Sequence, residues 1–406
     1  MPNFVTHLES AIDGTHLPAD QPQTLHKDRP LWVRYDLDAV RDVMSKETLL
    51  RREPTMWRYR ELLPIGTDEN EVSLGEGMSP LLSCPRLGEH FGLKNVAIKD
   101  ESQLPTGSFK SRGMAAAITM AKRFGIQRVA VPTAGNAGGA AAAYAARAGM
   151  EAFVFMPEDT PVINQYECHT AGARTFLANG LITDCGRVVR EGKEHMKWFD
   201  LSTLKEPYRI EGKKTMGLEL AEQLNWTLPD VILYPTGGGT GLIGMWKAFA
   251  ELAEIGWISG KHRPRMVSVQ SDGCCPIVTA FDKGERFAEP HKDPVTEAMG
   301  LRVPAAVGDF MILDAIRESN GRAIAVEEGR IKQWMKLAQS LEGIAVCPEA
   351  AACVGAIERL SSEGWIKPDE QVVVFNTGAA QKYVESIAAD LPKIDVNQPI
   401  DWDSLS

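Results

Sequence analysis

The chain has 406 residues, of which 44% are hydrophobic and 24% are charged, and its formal net charge at pH 7 is −10. This length allows two domains with cores of their own, and the absence of any basic run argues against a nucleic-acid-binding protein. No apolar stretch approaches the length of a membrane span, and an odd count of 7 cysteines with no signal-peptide features leads us to expect a cytoplasmic protein.

Short apolar strands alternate with helical segments along the chain. In chain order the pattern predicts a strand around Ala97, a helix over 111–124, a strand over 128–132, a helix over 137–148, a strand over 152–156, a helix over 161–171, a strand over 230–235, a helix over 241–255, and strands over 265–270 and 371–376. This alternation is typical of an α/β fold whose parallel sheets are covered by helices on both faces. We divide the chain into an N-terminal extension over 1–72, a middle segment over 73–226 and a C-terminal half over 227–406. Residues 284–310 show little periodicity and form either a lid or a long surface connection.

Lys110 is the last residue of the segment PTGSFK and lies at the start of an alanine-rich helix. The positive end of a helix dipole and partial burial both lower the pKa of a lysine placed there. A neutral amine is the form that reacts with a carbonyl to give a Schiff base. A lone lysine in a loop is otherwise an ordinary solvated charge, so its interpretation depends on three further segments.

The first of these follows the strand over 128–132, where the turn TAGNA (133–137) leads into a second alanine-rich helix. The first N–H groups of a helix have no partners within it, and small residues let the backbone close around a carboxylate. Asn136 adds a side-chain amide at the same place. A Gly-Asn turn on its own is usually only a turn.

The second segment is GGGTG (237–241), which joins the strand over 230–235 to a helix. Glycines bring backbone N–H groups close to a ligand, and the helix dipole favours a phosphate there. Gly239, Gly241 and Gly244 also satisfy G-x-G-x-x-G, and Asp272 follows the next strand near the position of a ribose-binding acid. A nicotinamide dinucleotide site is therefore an open alternative.

The third segment is the buried strand over 371–376, which ends at Thr377. Ligands of open α/β sheets bind at this carboxyl edge. In a cofactor with a pyridine ring, a hydroxyl at this position pairs with an unprotonated ring nitrogen. Such a ring is a weaker electron sink, which favours elimination and replacement over transamination. Thr377 could equally cap the next turn.

Together these four stretches resemble the pyridoxal 5'-phosphate (PLP) enzymes of fold type II, the tryptophan synthase β-subunit superfamily, and within it the threonine synthase family. Further segments that carry the resemblance are MWRYRELLP (56–64), LGEGMSPL (74–81), KDES (99–102) and EPYRIEGKKT (206–215). The similarity extends over roughly residues 30–385 in family order. It implies a two-domain α/β enzyme, with a smaller domain within 73–226 that closes on substrate, and we expect a homodimer.

The resemblance implies cofactor roles at matching positions. Lys110 would bind PLP covalently and later move protons, with Phe109 beside it, and Asn136 would hydrogen-bond the ring oxygen. Thr377 would face the pyridine nitrogen. The cofactor phosphate would lie against Gly237, Gly238, Gly239, Thr240 and Gly241.

The resemblance also implies substrate roles. The amino-acid carboxylate would bind to the loop formed by Thr133, Ala134, Gly135 and Ala137. A substrate with its own phosphate needs further cations, for which the candidates are Arg112, Arg209 and Lys213, with Ser108 as a hydroxyl donor. Lys214 is a further candidate, and for Lys213 and Lys214 a surface charge without a ligand is an equally open reading.

The implied reaction is a β,γ-replacement that converts O-phospho-L-homoserine and water to L-threonine and phosphate. A sibling PLP enzyme is the main alternative, either a threonine or serine ammonia-lyase or a β-replacement enzyme on a phosphorylated or hydroxylated amino acid. A non-catalytic paralogue that binds PLP or a metabolite is a third hypothesis. A nicotinamide dehydrogenase is the fourth, and it leaves Lys110, Asn136 and Thr377 without a role.

Several positions depart from the family pattern. Ala379 and Ala380 stand where many relatives have a Ser-Gly or His-Gly pair, and Ser111 stands where many have Asp. The carboxylate loop has Thr133 and Ala134 in place of a serine pair. A zinc ribbon is excluded because no cysteine precedes Cys84, and no other metal site is predicted.

Overall fold

The computed structural model of the chain describes residues 3–66, 70–260, 262–400 and 402. The outermost residues of the predicted N-terminal extension and C-terminal half lie outside these ranges. The strands are β1 (Val5–Ser10), β2 (His16–Leu17), β3 (Leu31–Tyr35), β4 (Leu81–Ser83), β5 (Asn95–Asp100), β6 (Arg128–Pro132), β7 (Glu151–Pro157), β8 (Arg174–Ala178), β9 (Phe199–Asp200), β10 (Val231–Pro235), β11 (Arg265–Ser271), β12 (Arg322–Val326) and β13 (Gln371–Asn376). The helices are α1 (Leu37–Val43), α2 (Lys46–Leu49), α3 (Pro85–His90), α4 (Lys110–Arg123), α5 (Asn136–Ala148), α6 (Val162–Thr170), α7 (Ile182–Met196), α8 (Tyr208–Gln223), α9 (Thr240–Glu254), α10 (Pro276–Asp282), α11 (Asp309–Glu318), α12 (Ile331–Glu342), α13 (Pro348–Ser362) and α14 (Val384–Ile387).

The predicted α/β fold is confirmed. Each predicted strand and helix is present, and each bound agrees to within one residue. The pattern did not predict several further helices, among them α8, α11, α12 and α13. It also did not predict α7, which carries its polar residues outward and buries only Cys185 and Val189. Among the described residues, no helix combines the length and the apolar character needed to cross a membrane.

The larger sheet has six strands in the order β12-β11-β10-β13-β5-β4. All pairs in it are parallel except β4 with β5. The central strand β10 reads VILYP and is buried at every position, as expected for a parallel strand covered on both faces. Strand β5 comes from the predicted middle segment but pairs with β13 of the C-terminal half, and β4 extends the sheet by pairing with β5.

The smaller sheet is parallel, with the order β8-β7-β6-β9, and it lies within the predicted middle segment. Helices α5 and α7 pack against it. Its edge strand β8 exposes Phe176 and Leu177. The parallel arrangement places the turn after β6 at one edge of this sheet, facing the larger sheet.

The N-terminal extension forms an antiparallel sheet with the order β2-β1-β3. Its inner side chains Leu8, Leu31 and Val33 are buried in the same core as Met114 and Ala117 of α4. The extension therefore supports the helix that begins at Lys110.

Candidate active site

A cavity of about 380 Å³ lies between the two parallel sheets. The starts of α4, α5 and α9 and the end of β13 all meet at it. The residues that the sequence predicted for a site and that line this cavity are Phe109, Lys110, Thr133, Ala134, Gly135, Asn136, Ala137, Gly237, Gly238, Gly239, Thr240 and Thr377. Gly241 lies one residue further, in the first turn of α9.

Lys110 begins α4 and points into the cavity wall. Burial and, to a smaller extent, the neighbouring Arg209 guanidinium together lower the pKa of Lys110 to about 7, against an opposing effect of Glu349. The Phe109 N–H donates to the Thr377 carbonyl over 3.1 Å, which ties the start of α4 to the end of β13. About half of the amine is therefore neutral at pH 7, and the start of α4 that carries it is held beside Thr377.

The turn before α5 is built around the Thr133 hydroxyl. This oxygen accepts hydrogen bonds from the N–H groups of Gly135 (3.0 Å) and Gly138 (3.2 Å). Gly135 has φ +149°, a backbone conformation that residues other than glycine rarely adopt. The turn thus presents the start of a helix to the cavity, which is a place where a carboxylate binds readily.

The glycine loop before α9 packs so tightly that side chains do not fit. A Cβ on Gly237 would collide with the Gly300 carbonyl, and one on Gly238 would lie 2.7 Å from the Thr203 side chain. Gly239 has φ +73°. These packing and backbone constraints leave the loop backbone and the first turn of α9 open to the cavity, which fits a phosphate.

Asn136 is linked to two cavity residues that the sequence analysis missed. Its Nδ2 donates to the Tyr383 hydroxyl (3.0 Å), and that hydroxyl donates to Glu349 Oε1 (2.8 Å). Asn136 Oδ1 and Glu349 Oε2 are buried and have no hydrogen-bond partner among the described residues. Buried polar atoms of this kind fit a polar ligand in the cavity. Glu349 is the second residue of α13 and follows Cys347 and Pro348. Its position at the sheet edge is the signal by which the sequence could have identified it as a cavity residue.

Thr377 follows β13 and is almost fully buried. Its hydroxyl lies 3.7 Å from the Cys347 sulfur, a weak partner. The hydroxyl can therefore turn toward a ring nitrogen in the cavity. Together with Lys110, Asn136 and the glycine loop, it makes the donor set fit PLP.

Arg112 does not reach the cavity, which corrects its predicted role as a substrate ligand. Its fully buried guanidinium is ion-paired with Glu101 (Nε to Oε2, 2.6 Å) and Glu219 (Nη1 to Oε2, 2.8 Å). Lys99 donates to the same Glu219 carboxylate. These four side chains neutralise one another behind α4 and leave Arg112 no free donor for a substrate.

Lys214 is not a surface charge and belongs to a second buried network. Its Nζ lies 2.7 Å from Glu211 Oε2 and 2.8 Å from Glu251 Oε2, and Lys247 binds both carboxylates as well. The alternation of two lysines with two glutamates compensates each charge. Lys214 therefore stabilises the packing of α8 against α9.

Arg209, Lys213 and Ser108 lie directly behind the cavity wall, and their substrate roles remain predictions. Arg209 Nη1 donates to the Leu201 carbonyl (2.6 Å), while its buried Nε has no partner within the described residues. Lys213 donates to the Phe109 carbonyl, and burial together with Lys110 lowers its pKa. The Ser108 hydroxyl is buried and unpartnered in the same described part of the chain.

Two cations that the sequence analysis missed line the cavity itself. Arg190 lies on the exposed side of α7, and no carboxylate pairs with it in the described ranges. Lys205 is only loosely paired with Asp200, at 3.6 Å. Ile182, Gly186 and Arg190 recur every four residues, which places them on one face of a helix toward the cavity. Recognising α7 in the sequence would have identified Arg190.

The segment over 284–310 forms one wall of the cavity. Met299, Gly300, Leu301 and Val303 line it, so this segment is more than a surface connection. Arg302 forms a two-pronged ion pair with Asp159, at 2.6 and 2.7 Å, across to the smaller sheet. The wall is therefore fixed to both sheets.

Comparisons with known proteins identify the family of the chain. The model of the pyridoxal-phosphate-dependent enzyme family matches residues 72–378. The chain is 35% identical over 353 residues to the threonine synthase of Methanocaldococcus jannaschii, covering 87% of this chain and 86% of that protein. It is 31% identical over 337 residues to the threonine synthase of Mycobacterium tuberculosis, covering 83% of this chain and 90% of that protein.

Two solved structures share the fold. Maize serine racemase matches with a TM-score of 0.63 at 21% identity, covering 74% of this chain and 89% of that one. Diaminopropionate ammonia lyase from Escherichia coli matches with a TM-score of 0.67 at 18% identity, covering 78% of this chain and 89% of that one. With the relatives above and a cavity that fits the cofactor, the chain belongs to the pyridoxal-phosphate-dependent enzymes of fold type II, as a threonine synthase-like carbon–oxygen lyase.

Proposed function

We propose that the protein converts O-phospho-L-homoserine and water to L-threonine and phosphate. The observation that carries this proposal is the pairing, in one cavity, of a lysine with a lowered pKa and two separate anion-receptive helix starts. One start suits the cofactor phosphate and the other suits an amino-acid carboxylate. The names of the most similar relatives support the same reaction.

PLP would be held by the residues that the sequence and the cavity have in common. Lys110 would bind it covalently, Asn136 would contact the ring oxygen and Thr377 the ring nitrogen. Its phosphate would lie against the loop 237–241. When bound, PLP supplies an electron-withdrawing ring that makes the α- and β-protons of an attached amino acid removable.

The protein side chains would bind, orient and move protons. The neutral Nζ of Lys110 accepts a proton from the substrate α-carbon, because its lowered pKa leaves the amine free near pH 7. The turn 133–137 orients the substrate carboxylate through its free N–H groups. The leaving phosphate needs cations, which Lys205 and Arg190 supply from the cavity and Arg209 supplies from behind it.

An ammonia-lyase is the second candidate, and the wall of the cavity favours it. Met299, Leu301 and Val303 are apolar and leave few groups to hold an attacking water. Elimination of phosphate without water addition at the β-carbon would release an enamine, and its hydrolysis by one water would give 2-oxobutanoate and ammonia. Ala379 and Ala380 remove further polar groups next to Thr377.

The test is to identify the product by mass spectrometry after incubating PLP-loaded protein with O-phospho-L-homoserine. Threonine and phosphate in equal amounts are expected from the wild type and none from Lys110→Ala. Production of 2-oxobutanoate would replace the proposal with the ammonia-lyase. An unchanged substrate would contradict the proposed reaction, and the ammonia-lyase would then be tested with serine and threonine as substrates.

We also infer a homodimer in a reducing compartment such as the cytoplasm. All 7 cysteines are free, which supports the compartment. The exposed Phe176 and Leu177 of edge strand β8 support an interface with a second copy. Size-exclusion chromatography with light scattering tests the dimer, and a monomeric mass would contradict it.

A further inference from the structure

Two histidines and a glutamate lie together on the N-terminal sheet, far from the cavity in the fold. His7 and Glu9 are two residues apart on β1, so they share the face opposite the buried Leu8. Glu9 pairs directly with His16 of β2. The Glu9 Oε2 atom is 3.7 Å from His7 Nε2 and 3.9 Å from His16 Nε2. Strand pairing alone therefore brings the three side chains together.

The histidine nitrogens and the glutamate oxygen that face one another in this cluster carry lone pairs, and no proton lies between them. The Thr6 hydroxyl donates to the Arg34 carbonyl (3.2 Å), so it accepts from His7 Nδ1 (2.9 Å) in the neutral imidazole. This bond leaves the proton on Nδ1 and a lone pair on His7 Nε2, which is buried and has no hydrogen-bond partner in the described residues. An outer hydrogen bond of this kind is what orients a histidine toward a metal.

Glu9 is arranged in the same way. Its Oε1 is occupied by Arg34, whose Nη2 is 2.6 Å away and whose Nε is 3.2 Å away. Its Oε2 is left facing the two imidazoles. The arrangement fixes the carboxylate and keeps one oxygen for a further positive partner.

We propose that His7, Glu9 and His16 bind a divalent late transition-metal ion, for which Zn²⁺ is the probe. Two imidazoles and a carboxylate with a water as fourth ligand are a familiar zinc set. Metal–nitrogen bonds of about 2.0–2.1 Å put tetrahedral ligand atoms about 3.3 Å apart, so the two separations from Glu9 Oε2 need to shrink by about half an ångström. The two rings are stacked at 3.8 Å with a 28° tilt, and the largely exposed His16 can rotate to aim its lone pair.

A proton is the competing occupant of these lone pairs. Burial and the neighbouring His16 lower the pKa of His7, while Glu9 raises it and Arg34 lowers it. These are the charged groups that face the ring from β1, β2 and β3.

The experiment is a zinc titration of tag-free, PLP-loaded protein by isothermal calorimetry under reducing conditions. One equivalent is expected to bind to the wild type, and His16→Ala should weaken this binding by at least about tenfold. His195→Ala is the matched control, because His195 is an exposed histidine on α7. It should bind zinc like the wild type. His16 is exposed, so its replacement should not affect folding.

Equal affinity of the wild type and His16→Ala would overturn the proposal, as would equal losses in both histidine variants. A second readout is the melting temperature, which zinc should raise in the wild type but not in His7→Ala or His16→Ala. A shift of the same size in all of these proteins would also overturn the proposal. The site is separate from the cavity, so failure here leaves the proposed reaction untouched.

Discussion

Two groups of cations lie on opposite sides of the loop that ends at Lys110. Behind α4, Arg112 is fully buried between Glu101 and Glu219 and has no free donor for a ligand. In front of it, Lys110 and Arg190 face a cavity, and neither has an ion pair in the described ranges. The comparison shows what distinguishes structural cations from those available to an anionic ligand. It is the pairing of the cation with carboxylates, rather than its charge alone.

The largest expected effect is that of Lys110→Ala. This change removes the amine that would bind PLP and accept the substrate proton, so turnover should fall by at least about a thousandfold. Visible absorbance of bound PLP should disappear, while circular dichroism stays unchanged. Retained turnover would place the reacting lysine elsewhere and remove the basis of the comparison.

Arg112→Ala should act on stability instead. It leaves Glu101 buried without its cation and Glu219 with Lys99 as its remaining cation, which costs about 3–5 kcal/mol of unfolding free energy. Urea denaturation followed by fluorescence measures this loss. Arg190→Gln is the control and should change the unfolding free energy by less than about 0.5 kcal/mol, as for an exposed residue. Similar losses in both variants would contradict the proposed division between the two groups.

Arg190→Gln should instead affect substrate binding. Loss of a charge-assisted contact to phosphate should raise KM for O-phospho-L-homoserine by about tenfold with little change in kcat. Arg187→Gln is matched to it, since Arg187 is on the same helix but ion-paired with Asp184 and Glu191. Arg187→Gln should leave KM unchanged. An unchanged KM in Arg190→Gln would mean that the substrate phosphate lies nearer to Arg209.

The pKa of Lys110 can be tested after removing the cofactor. Below pH 7 the neutral fraction of the amine rises about tenfold for each pH unit, and above it the fraction levels off. The rate at which stripped protein binds PLP, followed by absorbance, should rise with pH through a midpoint near 7. Arg209→Gln should move that midpoint upward, and Glu349→Gln should move it downward, because their charges act on the amine in opposite directions. A midpoint unchanged in both variants would contradict the assigned electrostatics.

The fold was largely predictable because its signals are local. The strand VILYP and the alanine-rich helix that begins at Lys110 each bury their apolar residues, as the sequence predicts. Helix α7 was missed because only two of its side chains are buried, so its apolar pattern is thin. Its cavity-facing Arg190 was missed with it.

The structure brings the predicted backbone turns to the cavity, whereas Arg112, a predicted side-chain ligand, lies away from it. The turns at 133–137 and 237–241 depend on glycine and on helix starts, which a sequence reveals. Arg112 looks like a ligand in the sequence because its partners Glu101 and Glu219 are 11 and 107 residues away. Tyr383 was missed for the same reason, since its contact with Asn136 spans 247 residues.

Tyr383→Phe gives the smallest expected effect and tests the finest point of the comparison. The change removes the hydroxyl that joins Asn136 Nδ2 to Glu349 Oε1, while the Gly300 N–H still donates to Glu349 over 2.8 Å. Asn136 then loses one of the contacts that orient it toward the cofactor.

One net hydrogen bond contributes about 1 kcal/mol, so the dissociation constant for PLP should rise roughly fivefold, and the visible absorbance of bound PLP should shift. Equilibrium dialysis and absorbance measure both quantities, and Tyr166→Phe is the control because Tyr166 is exposed on α6. Wild-type affinity and spectrum in Tyr383→Phe would mean that the backbone turn at Gly135 alone orients Asn136. The helix starts alone would then position the cofactor. The Tyr383–Glu349 pair would stabilise the fold, as Glu101 and Glu219 do behind α4.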